Sequence, residues 1–433
     1  MYYNLKIMKY RHSILLLLSV FLFVTGISGQ TRLPSFLPPQ PAPLLPPVTI
    51  GSPHEETVPI SQPENSASRN QADMFENERG EIQLRNAKNR QIINEIYRSE
   101  AFIRYELPSR EWMQGTEFYR DAAGMLSGML RGDIPVNIKD AVFMVENAYF
   151  GNTLDRNTYD KAIGDIIRTA REKAKEDCHD WNNPVTRNIM LFRAMSDTLR
   201  LKNRSRESTL ISYPFRYDFE DTKGEKEWSK MFVNKLLATR TGQCHSLPLL
   251  YLILCEETGT EAFPAYSPSH MYVKFRDNTG TWHNLELTNG RVVSDAFIAG
   301  SGFITAEAIK NGTYMSPQSR KQTVAQCLAD LAMGYSRKFG FDGFTEQCTD
   351  SILKYDPENL SGWVLRSNYL TLLFDYTVRQ AGRPHPEVLK TRFPRIYDLW
   401  QKRDETYRRI DSRGFREIPQ EIYETWRKNM VKE

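Results

Sequence analysis

Apolar residues recur at two different spacings along the chain, and the change of spacing divides the chain into regions. Helical spacing governs residues 138–150, 159–175 and 188–201, and it predicts one further helix over residues 93–107. These segments together predict a helical N-terminal domain over residues 74–205. No pattern in this domain indicates chemistry.

The pattern changes between residues 206 and 318, where helices and short strands follow one another. An amphipathic helix is predicted over residues 226–237, and a turn at residues 240–242 leads into a helix over residues 246–257 with Pro248 in its first turn. Alternation with a period of two then predicts three strands, the last two joined by a hairpin turn: residues 261–266, 270–275 and 281–287. The combination predicts an α+β core.

The first residues have the composition of a targeting segment. A basic leader precedes an apolar run over residues 14–24, and small residues follow up to Gly29. This order predicts a secretory signal peptide over residues 1–29, cleaved near Gly29. An uncleaved membrane anchor is the alternative, but the run is shorter than the ~20 residues that span a bilayer. We expect a secreted or periplasmic protein with no transmembrane span after cleavage.

Ten of the 23 prolines lie between residues 31 and 71. Proline-rich segments of this kind are extended and bury little surface. Residues 30–73 are therefore expected to form a disordered tether.

Helical spacing returns over residues 319–433, the predicted C-terminal helical region. Three helices are predicted over residues 323–339, 343–355 and 361–376, with a turn at Asp356-Pro357-Glu358-Asn359 between the last two. The tail places four large residues on one face of a further helix: Ile396, Leu399, Trp400 and Tyr407. Its mixed charge favours a solvated helix over a membrane-surface helix, which would be more one-sided.

Composition and charge exclude several classes of function. The chain has 433 residues, 40% of them hydrophobic, and a formal net charge of +4, which gives no electrostatic reason to expect nucleic acid binding. The cysteines number five, so at least one thiol is free; Cys327 and Cys348 either pair or remain as reduced core residues. Cys178-His179-Asp180 lacks the paired spacing of a zinc site. We expect neither a metal ion nor a cofactor.

Cys244 stands between the turn at residues 240–242 and the predicted helix over residues 246–257. The N-terminal end of a helix favours negative charge, so the thiolate form is favoured there and a nucleophile is indicated. Cys255, further along the same helix among apolar neighbours, is better explained as a core residue.

A cysteine nucleophile needs an imidazole base with an orienting acceptor. His245 follows Cys244 directly, and on a helix its side chain points about 100° away. Strand alternation places His270 opposite Glu286 or Thr288, depending on the register, and places His283 on the apolar side of the hairpin. His270 is therefore the predicted base.

Three short motifs carry a resemblance to the transglutaminase-like superfamily, whose members are papain-fold cysteine enzymes. They are Gly242-Gln243-Cys244, Ser269-His270-Met271 and Leu285-Glu286-Leu287-Thr288. The match covers about 80 of the 433 residues. The motifs also resemble those of bacterial members that join this core to tetratricopeptide repeats, which the predicted C-terminal helices resemble as well.

The resemblance implies an α+β papain-like core, in which a helix carrying Cys244 packs on a small antiparallel sheet. It implies a triad of Cys244, His270 and Glu286, although the acid of the family is usually Asp, and Asn284 is a neutral substitute on the same strand face. The backbone amide of Cys244, together with the Gln243 side chain, would stabilise an oxyanion.

An exported cysteine enzyme acting on amide bonds is the implied function. The acyl group of the acyl-enzyme is transferred either to water, in a peptidase or amidase, or to an amine, in a protein cross-linking enzyme. The alternative is an inactive module of the same fold that binds peptides or proteins. The implied partners are a peptide or protein substrate and a protein bound to the C-terminal helices.

Overall fold

A computed structural model describes residues 67–97, 100–203 and 208–415. The predicted signal peptide, the tether up to residue 66 and the last 18 residues of the tail, 416–433, lie outside these residues. The described residues up to Ile103 and those from Arg104 onward belong to two compact units.

The first unit contains helix α1, Ala67–Tyr97, and a 3₁₀ turn at Glu100–Phe102. A continuous helix over residues 93–107 was predicted, and this is wrong because residues 103–107 are not helical. Pro108 gives a physical reason, since the residue before a proline is disfavoured in the helical conformation.

The second unit begins with four helices and a hairpin. The helices are α2, Thr116–Arg131; α3, Ile138–Tyr149; α4, Arg156–Glu176; and α5, Pro184–Ser196. Asn137 begins α3 by accepting a hydrogen bond from the Asp140 amide. The helix predicted over residues 188–201 ends early, because Asp197 is extended and strand β1, Leu199–Asn203, pairs with strand β2, Ser208–Ser212.

A 3₁₀ turn, Trp228–Met231, and helix α6, Val233–Thr239, replace the single helix predicted over residues 226–237. The break lies at Phe232, which is extended. The buried Glu146 carboxylate accepts hydrogen bonds from the Val233 and Asn234 amides at 2.6 and 2.8 Å, and so provides the missing cap of α6.

Two short parallel strands lead into the helix that follows Cys244. Strand β3, Arg216–Tyr217, pairs with strand β4, Thr241–Gly242, and helix α7, Ser246–Glu257, follows with the bounds predicted from the sequence. The side chains of α7 from Ser246 to Cys255 are all buried. This explains why its sequence is apolar on every side.

An antiparallel sheet of four strands packs against α7. The strands are β5, Phe263–Ser267; β6, His270–Arg276; β7, Trp282–Glu286; and β8, Arg291–Val293. Met271, Val273 and Phe275 face the core, as predicted, but Tyr272 and Lys274 on the opposite face are buried too. Helices α8, Asp295–Ser301, and α9, Ala306–Lys310, follow the sheet, and Ile298 of α8 packs with Tyr272 and Ala265.

Five helices complete the described chain. They are α10, Arg320–Phe339; α11, Gly343–Tyr355; α12, Leu360–Gln380; α13, Pro386–Arg392; and α14, Pro394–Ser412. The prediction of a solvated tail helix is wrong for α14, because Ile396, Leu399 and Tyr407 are buried and the helix packs on α12. Helix α10 packs against α2, α3 and α11, so it belongs to the core of this unit. No helix among the described residues is long and apolar enough to cross a membrane.

Candidate active site

Cys244 lies in the turn between β4 and α7, and tight packing fixes that turn. A Cβ atom on Gly242 would lie 2.6 Å from Ser246 Oγ, so only glycine fits there. The Gln243 amide donates to the same Ser246 Oγ at 3.0 Å. The turn holds Cys244 partly exposed at the N-terminal end of α7, which is the end of a helix that favours an anion.

His270 begins β6, and Glu286 ends β7, the neighbouring strand. The register pairs Val273 with Leu285, so Glu286 is a diagonal rather than a direct neighbour of His270. The longer side chain of glutamate spans this diagonal, and His270 Nε2 lies 2.6 Å from Glu286 Oε2.

The second carboxylate oxygen of Glu286 is held by Thr288. The Thr288 amide donates to Oε1 at 3.0 Å, and the Thr288 hydroxyl donates to the same oxygen at 2.7 Å. Both oxygens of the buried carboxylate are therefore paired, and its orientation toward His270 is fixed.

The thiol of Cys244 reaches both His270 and the turn before it. Its Sγ lies 3.9 Å from the carbonyl oxygen of Ser269, and the Cys244 side chain is close enough to His270 to raise the pKa of that ring. Because Nε2 of His270 faces Glu286, Nδ1 is the ring nitrogen left for Cys244. Ser269 adopts a left-handed conformation with φ of 55°, which turns the chain sharply before His270.

Burial and charge act in opposite directions on this pair. Burial alone would lower the pKa of His270, but the Glu286 carboxylate and the Cys244 side chain raise that pKa well above its usual value. Burial alone would raise the pKa of Glu286, but His270 and Thr288 bring it below its usual value. The favoured state is thus a His270 imidazolium held against the Glu286 carboxylate.

The two remaining site candidates from the sequence are engaged elsewhere. Gln243 is fully buried, and its Nε2 donates to the Glu220 carbonyl at 3.2 Å, so the side chain is not open to a ligand. Asn284 donates to Asp295 Oδ1 at 2.8 Å and to the Val293 carbonyl at 3.1 Å. It faces β8 and α8, and the orienting partner of His270 is Glu286.

The other cysteines and histidines that the sequence drew attention to lie apart from this site. All five cysteines are free, with Cys255, Cys327 and Cys348 buried and Cys178 exposed. His283 stacks on Phe275 and binds Asp277 at the hairpin turn, 2.7 Å from Nε2 to Oδ2. Within the described ranges, no group of three or more His, Cys, Asp or Glu side chains is arranged to hold a metal ion.

One feature next to the candidate site had no counterpart in the sequence. His245, directly after Cys244, is bound to Asp330 of α10, with 2.9 Å from Nε2 to Oδ2. His245 precedes the first residue of α7 rather than lying within the helix, and 85 residues separate it from its partner. No local pattern could have found this contact.

Together these contacts place a partly exposed thiol, an imidazole and a fixed carboxylate in one row, an arrangement suited to nucleophilic chemistry. Comparisons of this chain with protein-family models, curated proteins and solved structures give no match.

Proposed function

We propose that the protein is a cysteine enzyme that cleaves amide bonds through Cys244, His270 and Glu286. The observation that carries the proposal is the bond between His270 and Glu286, at 2.6 Å, in a pair whose other ring nitrogen is left for Cys244. A buried carboxylate fixed by Thr288 has a clear use here, because it stabilises the imidazolium and sets the ring orientation.

The reaction follows from these positions. With the thiol proton held on His270, the Cys244 sulfur forms a bond to the carbonyl carbon of the amide, and the carbonyl oxygen takes up the displaced electron pair as an oxyanion. His270 then donates that proton to the leaving nitrogen as the carbon–nitrogen bond breaks, which leaves a thioester. Water adds to the thioester with His270 as the base, and the acid product leaves as the thiol reforms.

The backbone amide of Cys244 is the proposed oxyanion donor. Within the described part of the chain it has no protein acceptor, and it lies at the N-terminal end of α7, where the helix dipole adds to its effect. The Gln243 side chain is left out of this role because it is fully buried, with its Nε2 donating to the Glu220 carbonyl.

The resemblance to the transglutaminase-like superfamily supports the same reading, since a helix start supplies the Cys and two neighbouring strands supply the base and the acid. We infer a papain-like core on this basis. Hydrolysis is the default outcome because water is always present; an amine acceptor would instead give protein cross-linking. Export to the periplasm or outside the cell is proposed from the first 29 residues.

Active-site labelling tests the proposal directly. The native, reduced protein is treated with a peptide-like electrophile that mimics an amide, and the labelled residue is found by peptide mapping. We expect Cys244 to be labelled, whereas Cys178, also a free thiol, serves as the exposed control. No labelling of Cys244 above that of Cys178 would contradict the enzyme and favour a peptide-binding module.

A further inference from the structure

A second histidine, His245, follows the candidate nucleophile directly in the chain, and its side chain is 18% exposed. His245 Nδ1 lies 3.1 Å from the Met231 carbonyl oxygen, and its Nε2 lies 2.9 Å from Asp330 Oδ2. The other oxygen of Asp330 accepts a hydrogen bond from Gln326 Nε2 at 3.0 Å. Opposite a carbonyl and a carboxylate, both ring nitrogens of His245 have to donate, and only the imidazolium form does this.

Three segments of the chain converge on this ring. The 3₁₀ turn supplies the Met231 carbonyl, α10 supplies Asp330, and α3 supplies Glu146, which lines a cavity with His245. The cavity has a volume of about 10 Å³, which is the space of roughly one water molecule. It is otherwise mainly apolar, so the charges around it are weakly screened.

The charged and titratable groups that face His245 are Asp330, Glu146, Cys327 and Cys244. Burial alone would lower the pKa of His245, but Asp330, above all, raises it to about 9. Burial raises the pKa of Glu146 to about 7 against its hydrogen bonds from Asn234 and Val233, and burial also raises the pKa of Cys327. His245 is thus the positive member of the cluster at neutral pH.

We propose that His245 is a positioning residue for Cys244: its imidazolium, fixed between Met231 and Asp330, holds a permanent positive charge behind the thiolate. The inference rests on the proposed function and deepens it, because it makes α10 a part of the active site. Helix α10 would otherwise be only a packing element of the C-terminal helical region.

The role of His245 differs from that of His270. Both nitrogens of His245 are occupied, so it does not exchange a proton with a substrate. Its effect on Cys244 is electrostatic, and it acts before any substrate binds. A small alkylating agent therefore reports on it without knowledge of the substrate.

The test is the pH profile of iodoacetamide alkylation at Cys244 in the full chain. Asp330→Asn removes the carboxylate, while the new amide still donates to a neutral His245 ring. We expect the alkylation rate below about pH 7 to fall roughly three- to tenfold and the profile to move to higher pH. Asp356→Asn is the matched control, since Asp356 is a buried carboxylate between α11 and α12 that binds Gln322 and Asn359 instead.

An Asp330→Asn profile equal to that of the wild-type protein, with Asp356→Asn also unchanged, would overturn the inference. Should Asp330→Asn fail to fold, the ring of His245 is observed by NMR in the wild-type protein; a neutral ring at about pH 7 overturns the inference, and a doubly protonated ring supports it. A Cys244 that is inert in the wild-type protein would contradict the proposed function instead. The two failures are therefore distinguishable.

Discussion

The two histidines near Cys244 each bind a carboxylate, but they differ in how many of their ring nitrogens are engaged. His270 binds Glu286 through one nitrogen and keeps the other for the thiol, and its side chain is 24% exposed. His245 binds Asp330 through one nitrogen and the Met231 carbonyl through the other. A bond to a carboxylate alone therefore does not identify a histidine as a general base; a general base also needs a second ring nitrogen that is free to exchange a proton.

The two carboxylates differ as well. Glu286 comes from the strand next to His270, and Thr288 fixes it from two residues away. Asp330 comes from α10, far along the chain. The His270–Glu286 pair lies within the sheet, whereas the His245–Asp330 pair joins the C-terminal helical region to the start of α7. Substitutions in the first pair should therefore change the alkylation of Cys244, and substitutions in the second should also change the stability of the fold.

Removal of the His270 imidazole should give the largest effect on the reactivity of Cys244. In His270→Gln the thiol loses its proton acceptor and the imidazolium beside it. Because a general base typically contributes ~10²- to 10⁴-fold, we expect alkylation of Cys244 by iodoacetamide at about pH 7 to fall within that range. The rate is measured by mass spectrometry with Cys178 as the internal reference. A fall no greater than that of Asp330→Asn would remove the distinction between the two histidines.

Removal of the Asp330 carboxylate, which is bound to His245, should lower the free energy of unfolding. Asp330→Ala leaves the largely covered His245 imidazolium without its counter-charge, which costs about 3–5 kcal/mol of the free energy of unfolding. Urea unfolding measures this cost. Asp350→Ala is the control, because Asp350 pairs with Arg366 on the surface of neighbouring helices, and an exposed pair contributes about 0–1 kcal/mol. An equal loss of unfolding free energy in Asp330→Ala and Asp350→Ala would show that His245 and Asp330 do not form an ion pair in solution.

Neutralising the orienting acid should have an intermediate effect. Glu286→Gln keeps the shape of the side chain but no longer stabilises the His270 imidazolium, so we expect alkylation of Cys244 to slow by about 10- to 100-fold at neutral pH. Asp277→Asn makes the same change beside His283, at the far turn of the same hairpin, and should leave the rate unchanged.

The pKa of Glu286 gives this prediction a second measurement. Because that pKa is lowered in the folded protein, the ionised carboxylate adds stability above the unfolded pKa, and this stability is lost as the pH falls through the folded pKa. Wild-type protein should lose it on acidification, whereas Glu286→Gln has none of it to lose. Equal alkylation rates in Glu286→Gln and wild type would point to a different partner for His270.

The sequence predicted the parts of this site that depend on local order. The bounds of α7 follow from its apolar residues, and strand alternation correctly brought His270 to the side of Glu286. The register was left open between Glu286 and Thr288. The structure shows why both are involved, since Glu286 binds the ring and Thr288 holds Glu286.

Long-range contacts explain what the sequence could not predict. The helix over residues 226–237 breaks because Glu146, 87 residues before Val233, caps α6. One face of the tail helix is buried because α12 covers it, and the charges of the helix concealed that face in the sequence. Asp330 reaches His245 for the same kind of reason: tertiary packing brings together residues that share no local pattern.

The smallest effect should come from the residue that holds Glu286. Thr288→Val keeps the size of the side chain and the backbone amide bond, but it removes the hydroxyl that donates to Oε1 at 2.7 Å. One hydrogen bond contributes about 1 kcal/mol, so we expect a roughly fivefold slower alkylation of Cys244 with little change in folding. Thr349→Val makes the same swap at a buried threonine of α11 and should leave the rate unchanged. If the alkylation rate of Thr288→Val equalled that of Thr349→Val, the Thr288 backbone amide alone would hold the Glu286 carboxylate. A main-chain group would then fix each pair: the Thr288 amide on Glu286 and the Met231 carbonyl on His245.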